Sequence, residues 1–189
     1  MTTDLYTLAR KSLRQAVSTT AVMLGSATPD TLVSSVAPAS DVIAELLDHA
    51  HHEDEFIEPV LDRFLPDIAL EVASQHRQLT ATIDAVHRQL DGLANEPSVA
   101  PGGPLALYRA FQRMAAANLV HLDYEETAVM PALWVAAPPE ALDEVMASFT
   151  AAHPDASQLF HRWPDSLTPT ERAAFGIATS HDALSASLI

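Results

Sequence analysis

Two stretches of this chain share one internal spacing, His49-x3-Glu53-x5-Pro59-x-Leu61 and His121-x3-Glu125-x5-Pro131-x-Leu133, with apolar Ile57 and Val129 at matching positions. A His and a Glu four residues apart lie one turn apart on the same face of a helix. That spacing alone also fits an exposed, ion-paired helix, and His51 with Glu55, His87 with Asp91 and His161 with Asp165 have it too. The repeated couples differ in their surroundings. Around the first, Ile43, Leu46, Ala50, Ile57, Val60 and Phe64 recur every three or four residues, and His49 and Glu53 fall within that stripe. Around the second, Leu107, Phe111, Met114, Asn118, Leu122 and Val129 form the stripe that His121 and Glu125 interrupt. His51, Glu55, Glu58 and Asp62 make a separate polar row that reads as a solvated face. An unpaired carboxylate is costly to bury, so two inward couples require a positive charge between them. Two helices presenting such couples are also the arrangement by which a bundle surrounds two metal ions, carboxylates bridging and imidazoles terminating.

A third stripe, Val72, His76, Leu79, Ile83, Val86 and Leu90, brings one more histidine inward. Alone, His76 reads as a hydrogen-bonded core residue; beside two buried His and Glu couples it reads as a ligand. His87 lies roughly 16 Å further along the helix axis, too far to share a metal with His76, and reads as structural. His153, His161 and His181 have no matching inward partners and read as exposed, while Trp134 and Trp163 read as packing residues.

Prolines divide the chain into long proline-poor blocks, as expected where they mark helix ends. The first runs from about Asp4 to Leu24 and stops at Gly25; a polar stretch with Pro29 and Pro38 follows, and Asp41 opens the second after Ser40 as N-cap. The second continues to Leu65 with Pro59 near its end, and Pro66-Asp67 opens a third that reaches about Leu93. After a loop with Pro97, Pro101, Gly102, Gly103 and Pro104, the fourth starts near Leu105 and meets Pro131. Pro138-Pro139-Glu140 begins a shorter C-terminal region, where Thr168-Pro169-Thr170-Glu171 reads as an N-cap, a first-turn proline and a capping acid. With only 5 Gly, and Ala and Leu outnumbering Val and Ile, strands are disfavoured. The expected fold is all-α: an up-down four-helix bundle over residues 1–137 and a short helical extension over 138–189 packed on it.

A formal charge of −15 repels phosphate backbones and anionic lipid surfaces, so neither nucleic acid nor membrane is an expected partner. The chain has no cysteine, which leaves His, Asp, Glu or Tyr to hold any metal. Met1 to Tyr6 has neither the basic start nor the apolar core of a signal peptide, and the expected location is cytoplasmic.

The segments His49-Ala50-His51-His52-Glu53-Asp54-Glu55-Phe56-Ile57 and His121-Leu122-Asp123-Tyr124-Glu125-Glu126 resemble the hemerythrin-like (HHE cation-binding) family, whose signature is a His in helix one, HxxxE in helix two, one or two His in helix three and HxxxE or a near variant in helix four. Met130-Pro131-Ala132-Leu133-Trp134 and Pro169-Thr170-Glu171-Arg172-Ala173 look like a bacterial branch with a C-terminal extension. The resemblance implies a non-haem di-iron centre with ligands at His49, Glu53, His76, His121 and Glu125, where iron meets O2, peroxide or nitric oxide. It implies binding or sensing of a small molecule more than enzymatic turnover. His52 adjoins the motif but is not taken as a ligand.

Helix one departs from the signature, for it contains no histidine. Its stripe is Tyr6, Arg10, Leu13, Val17, Thr20 and Leu24, and Arg10 stands where the family has its ligand. A guanidinium stays protonated and cannot ligate iron, but its charge suits pairing with Glu53 or Glu125. Tyr6, one turn away, is either a substitute oxygen ligand or a core residue, the commoner role for an aromatic near a helix end. Two functions therefore compete: a di-iron site binding a small oxidant, and a metal-free regulatory or interaction module in which Arg10 neutralises the buried acids.

Overall fold

A computed structural model of the chain describes residues 4–95, 103–153 and 166–174. Its elements in order are α1 (Thr7–Gly25), α2 (Leu32–His52), a π-helical turn π1 (Glu53–Ile57), α3 (Glu58–Phe64), α4 (Pro66–Asn95), α5 (Gly103–Tyr124), a second π-helical turn π2 (Glu125–Val129), α6 (Met130–Ala136), α7 (Pro139–Ala152) and α8 (Pro169–Ala174). Among the described residues there is no strand. The fold is all-α, as expected. His161, His181 and Trp163 lie outside the described residues, as do most of the loop before α5 and much of the C-terminal extension.

The stripes read from the sequence become the interior. Arg10, Val17 and Leu24 on α1, Ile43 and Leu46 on α2, Ile83, Val86 and Leu90 on α4, and Leu107, Phe111 and Met114 on α5 are each at most 2% exposed. Each such aliphatic side chain, moved fully out of water, contributes on the order of 1.5–3 kcal/mol. α1 packs on α2 and α5, and α4 packs on the same two, closing a ring in chain order. Short connections make sequential neighbours antiparallel. The N-terminal parts of α1 and α4 therefore meet the C-terminal parts of α2 and α5 at one end of the ring, and the paired residues described below come from those parts.

Along this axis the core is layered. One apolar cluster runs from Leu13 and Leu24 to Leu90 and Leu122; a second gathers Tyr6, Ile57, Val60, Val72, Val129 and Leu133. Arg10, Glu53, His76 and Glu125 fall between these two sets along their helices, and His121 lies at the edge of the first beside Leu122. The polar residues form a stratum with apolar packing above and below.

Two sequence expectations are corrected. The second helix starts at Leu32, not Asp41, and Pro38 lies inside it. Leu32, Val36, Ala39, Val42, Ile43 and Leu46 keep one buried face through the proline, while Pro38 itself is on the exposed side where the carbonyl it leaves free can meet water. Burial of that face outweighs the roughly 3 kcal/mol an interior proline costs. Reciprocal bonds between Thr28 and Thr31, including Thr28 N–H to Thr31 Oγ1 at 2.9 Å, set the turn before it.

The second correction concerns Pro131, which the fourth helix was expected to meet and stop at but which it passes to reach Ala136, whereas Pro59 stands near the end of the second block, which closes at Phe64 as expected. Each stands at the start of a new α segment that continues directly from a π turn. Glu58 N–H donates to Glu53 C=O, and Met130 N–H donates to Glu125 C=O, both five residues apart. A proline ring crowds the carbonyl four residues earlier and offers no N–H, so the preceding turn opens to the wider form. The repeated spacing thus encodes a wide turn beginning at each inward glutamate.

At the other end of the chain, Thr168 and Glu171 form the expected capping box: Thr168 N–H donates to Glu171 Oε2 at 2.7 Å and Glu171 N–H to Thr168 Oγ1 at 3.3 Å. Lys11 Nζ donates to Glu171 Oε1 at 2.7 Å and ties α8 to α1.

Candidate metal centre

Arg10 is fully buried and lies between the two glutamates. Its Nη2 donates to Glu53 Oε1 at 2.7 Å and also to Glu125 Oε2. The Tyr6 ring lies against the guanidinium, 3.6 Å from Cζ to ring centre. Burial, then the charges of Glu125 and Glu53, push the Tyr6 hydroxyl well above its ordinary range, so it stays a neutral phenol. Of the two roles open to Tyr6, the structure supports the core residue stacked on Arg10.

Each glutamate gives one oxygen to Arg10, and both oxygens of each lie near a histidine. Glu53 Oε2 and Glu125 Oε1 are buried without a hydrogen-bond partner. Glu53 Oε2 lies 3.4 Å from His76 Nε2 and 3.9 Å from His121 Nε2; Glu125 Oε1 lies 4.0 Å from His76 Nε2. Glu125 Oε2 lies 3.2 Å from His121 Nε2. Glu53, His76, His121 and Glu125 each bring a donor atom into a group whose members lie within 4.8 Å of one another.

The histidines are held from behind. His76 Nδ1 donates to Asp54 Oδ1 at 3.0 Å, and His121 Nδ1 donates to Gln75 Oε1 at 3.1 Å. Both partners are acceptors, so each ring carries its proton on Nδ1 and, when neutral, a bare lone pair on Nε2. Those two Nε2 atoms face each other at 3.0 Å. Two lone pairs so close need a cation between them, either a proton or a metal ion. Acceptors behind metal-facing imidazoles are the usual device for fixing the ring and its tautomer.

The protonation states agree with a shared proton. Burial alone would lower His76, but the hydrogen bond and charge of Glu53, with Glu125 and Asp54, raise it to about 9. His121 is lowered by burial and by the charges of His76 and Arg10, against the pull of Glu53. At neutral pH His76 Nε2 then donates to a neutral His121. Glu53 is buried, yet His49, His121 and His76 hold it well below the usual carboxylate range; Glu125 is pushed up by burial and by the charge of Glu53.

Of the five expected ligands, four fall in the donor group and His49 stands beside it. His49 Nε2 approaches Glu53 Oε1 to 3.1 Å but lacks hydrogen-bond geometry, and the side chain is 15% exposed. The oxygen it faces is the one taken by Arg10. His51 and Glu55 are exposed at 3.8 Å, as read for a solvated pair, while His87, read as structural, is instead exposed at 3.7 Å from Asp91. His153 is corrected: it is half-buried, donates through Nδ1 to Phe149 C=O at 2.9 Å, and meets His52 Nε2 at 3.0 Å among Phe56 and Phe149. Trp134, expected to pack inside, is 42% exposed. The sequence reading missed Asp54 and Gln75, which lie outside the apolar stripes; their adjacency to Glu53 and His76 was the only signal.

The donor set fits one divalent ion. Two imidazole lone pairs and two unpartnered carboxylate oxygens converge, a nitrogen and oxygen set that suits a transition-metal ion, although with Arg10 present a divalent ion exceeds the two carboxylate charges by one. A second ion bridged by the same glutamates would have to share the place of the Arg10 guanidinium.

No protein-family model, curated protein or solved structure matches this chain. Among the described residues no helix is long and apolar enough to cross a membrane.

Proposed function

We propose that this chain is a hemerythrin-like bundle that holds a single transition-metal ion, iron on the family resemblance, and offers it to a small ligand such as O2, peroxide or nitric oxide. One observation carries this reading: two Nε2 lone pairs and two unpartnered buried carboxylate oxygens face one another, with Asp54 and Gln75 locking the rings from behind. Glu53, His76, His121 and Glu125 would hold the ion, and Arg10 takes the position of the second one that the resemblance implies. The metal would supply an open coordination position of the kind 2-His and carboxylate sites use for small oxidants.

The residues of the chain do the rest. Arg10 bridges the two carboxylates and supplies a fixed positive charge between them. Asp54 holds a proton on His76 Nδ1 and Gln75 one on His121 Nδ1, so both Nε2 atoms stay available. The apolar layers on either side exclude water and strengthen each charge contact.

The alternative is a metal-free module for regulation or interaction. Its support is that Arg10 and a protonated His76 already stand against the two glutamates without a metal. Metal analysis of the chain expressed with added iron, zinc or manganese separates the two. About one ion per chain, lost in His121→Ala, is expected on the first reading. Less than about a tenth of an ion under every condition establishes the second, and two ions per chain would refute the role given to Arg10.

A further inference from the structure

Asn118 on α5 lies one turn before His121, is 1% exposed, and has no hydrogen-bond partner at Nδ2. It lines a cavity beside the candidate metal position together with Glu53, His76 and His121 and the apolar Leu46, Leu79 and Ile83. The other stripe positions of α5, Leu107, Phe111, Met114 and Leu122, are apolar and buried. An amide in that row gives up its bonds to water on folding and recovers none at Nδ2, a loss that a leucine of similar size would not incur.

The charge of the site points the same way. One divalent ion together with Arg10 exceeds the two carboxylates by one positive charge, in a stratum closed by apolar layers. A singly charged anion in the cavity would remove that excess. An unpartnered N–H on a residue that lines the cavity would in addition reward a ligand whose outer atom accepts a hydrogen bond.

Resting on the single-metal reading above, we propose that Asn118 Nδ2 donates to the outer atom of a small anionic or diatomic ligand bound at the metal position, and so selects ligands that end in an acceptor. Asn118 on this view is a specificity-determining residue; metal retention depends on Glu53, His76, His121 and Glu125.

The test uses the full chain loaded with cobalt(II), whose visible absorption reports both its own ligands and an added one, and azide as the probe. Wild type is expected to bind one azide per cobalt. Asn118→Leu and Asn118→Ala are expected to weaken azide at least tenfold, with cobalt affinity within about threefold of wild type and Asn118→Leu melting at or above the wild-type temperature. Cobalt bound but azide affinity unchanged in both variants overturns the role of Asn118 alone, since the amide then meets only water. Equal losses of azide and cobalt affinity also overturn it, for the amide would be supporting the fold. A wild type that binds no cobalt overturns the single-metal reading and this proposal with it.

Discussion

Arg10 Nη2 donates to Glu53 Oε1 at 2.7 Å, with the Arg10 side chain fully buried and that of Glu53 5% exposed. The same nitrogen reaches Glu125, so one guanidinium stands where two buried carboxylates would otherwise repel. Arg10→Ala leaves both acids without their counter-charge. Breaking a buried ion pair from one side is expected to cost the metal-free protein about 3–5 kcal/mol. Urea unfolding measures it; a loss below about 1 kcal/mol, typical of an exposed pair, would contradict the role given to Arg10.

A partly exposed ion pair from the same helix to α8 supplies the contrast. Lys11 and Glu171 also meet at 2.7 Å, but their side chains are 34% and 24% exposed. Hydrogen bonds from Lys11 and the Thr168 backbone lower Glu171 to about 2. A depressed carboxylate stabilises the fold above its ordinary pKa and loses that effect as pH falls toward about 2. Solvent screening keeps the contribution small, so Glu171→Gln is expected to cost at most about 1 kcal/mol. A cost equal to that of Arg10→Ala would mean that the docking of α8 matters as much as the buried stratum.

His76 sets the pH dependence of the metal-free protein. Its folded pKa, about 9, lies above the ordinary value of 6.5. A raised histidine contributes stability that is full below about 6.5 and disappears as pH rises through about 9. At about 1.4 kcal/mol per unit, the loss across that window is on the order of 2–3 kcal/mol. Urea unfolding at several pH values reads it, and His76→Gln should flatten the slope. Metal must displace the same proton, so metal affinity should rise over this window. Stability that increases from pH 6.5 to 9 would refute the shared proton.

Much of this was legible in the sequence because the period of an apolar stripe records which residues face inward. Tyr6, Arg10, Leu13, Val17, Thr20 and Leu24 were read as one face and are all buried. The inward placement of Glu53, His121 and Glu125 followed from the same rule, and so did the pairing of Arg10 with the acids. The start of α2 was hidden because local proline rules placed Pro38 outside a helix, while tertiary burial of Leu32 and Val36 carries the helix through it. The π turns were hidden because Pro59 and Pro131 signal a disturbed turn without saying whether the helix ends or widens. Asp54 was invisible for a different reason: at 55% exposure it belongs to no stripe, and only the approach of π1 to α4 brings it to His76.

The residues behind the histidines give a prediction that separates metal binding from folding. Asp54 and Gln75 touch only the Nδ1 side of the rings, so losing either frees a ring to turn or change tautomer without removing a donor. Asp54→Ala and Gln75→Leu are expected to weaken metal binding by roughly 10–100-fold. Their unfolding free energies should stay within about 1 kcal/mol of wild type. A competition titration with a chromogenic chelator measures the first, and unchanged affinity in both variants would mean that the imidazoles are positioned by packing alone.

His49 provides the sharpest distinction between the family's ligand pattern and the geometry found. It was expected as a ligand, yet it faces Glu53 Oε1, the oxygen already donated to by Arg10, and stands outside the group formed by Glu53, His76, His121 and Glu125. On the single-ion reading its contribution would be indirect, through the charge on Glu53. His49→Ala should keep a stoichiometry of about one ion per chain with less than tenfold loss of affinity, whereas His121→Ala should abolish binding by removing a lone pair from the group. If the two variants lose metal equally, His49 is a direct ligand. The ion would then sit nearer the guanidinium than the four converging donors imply.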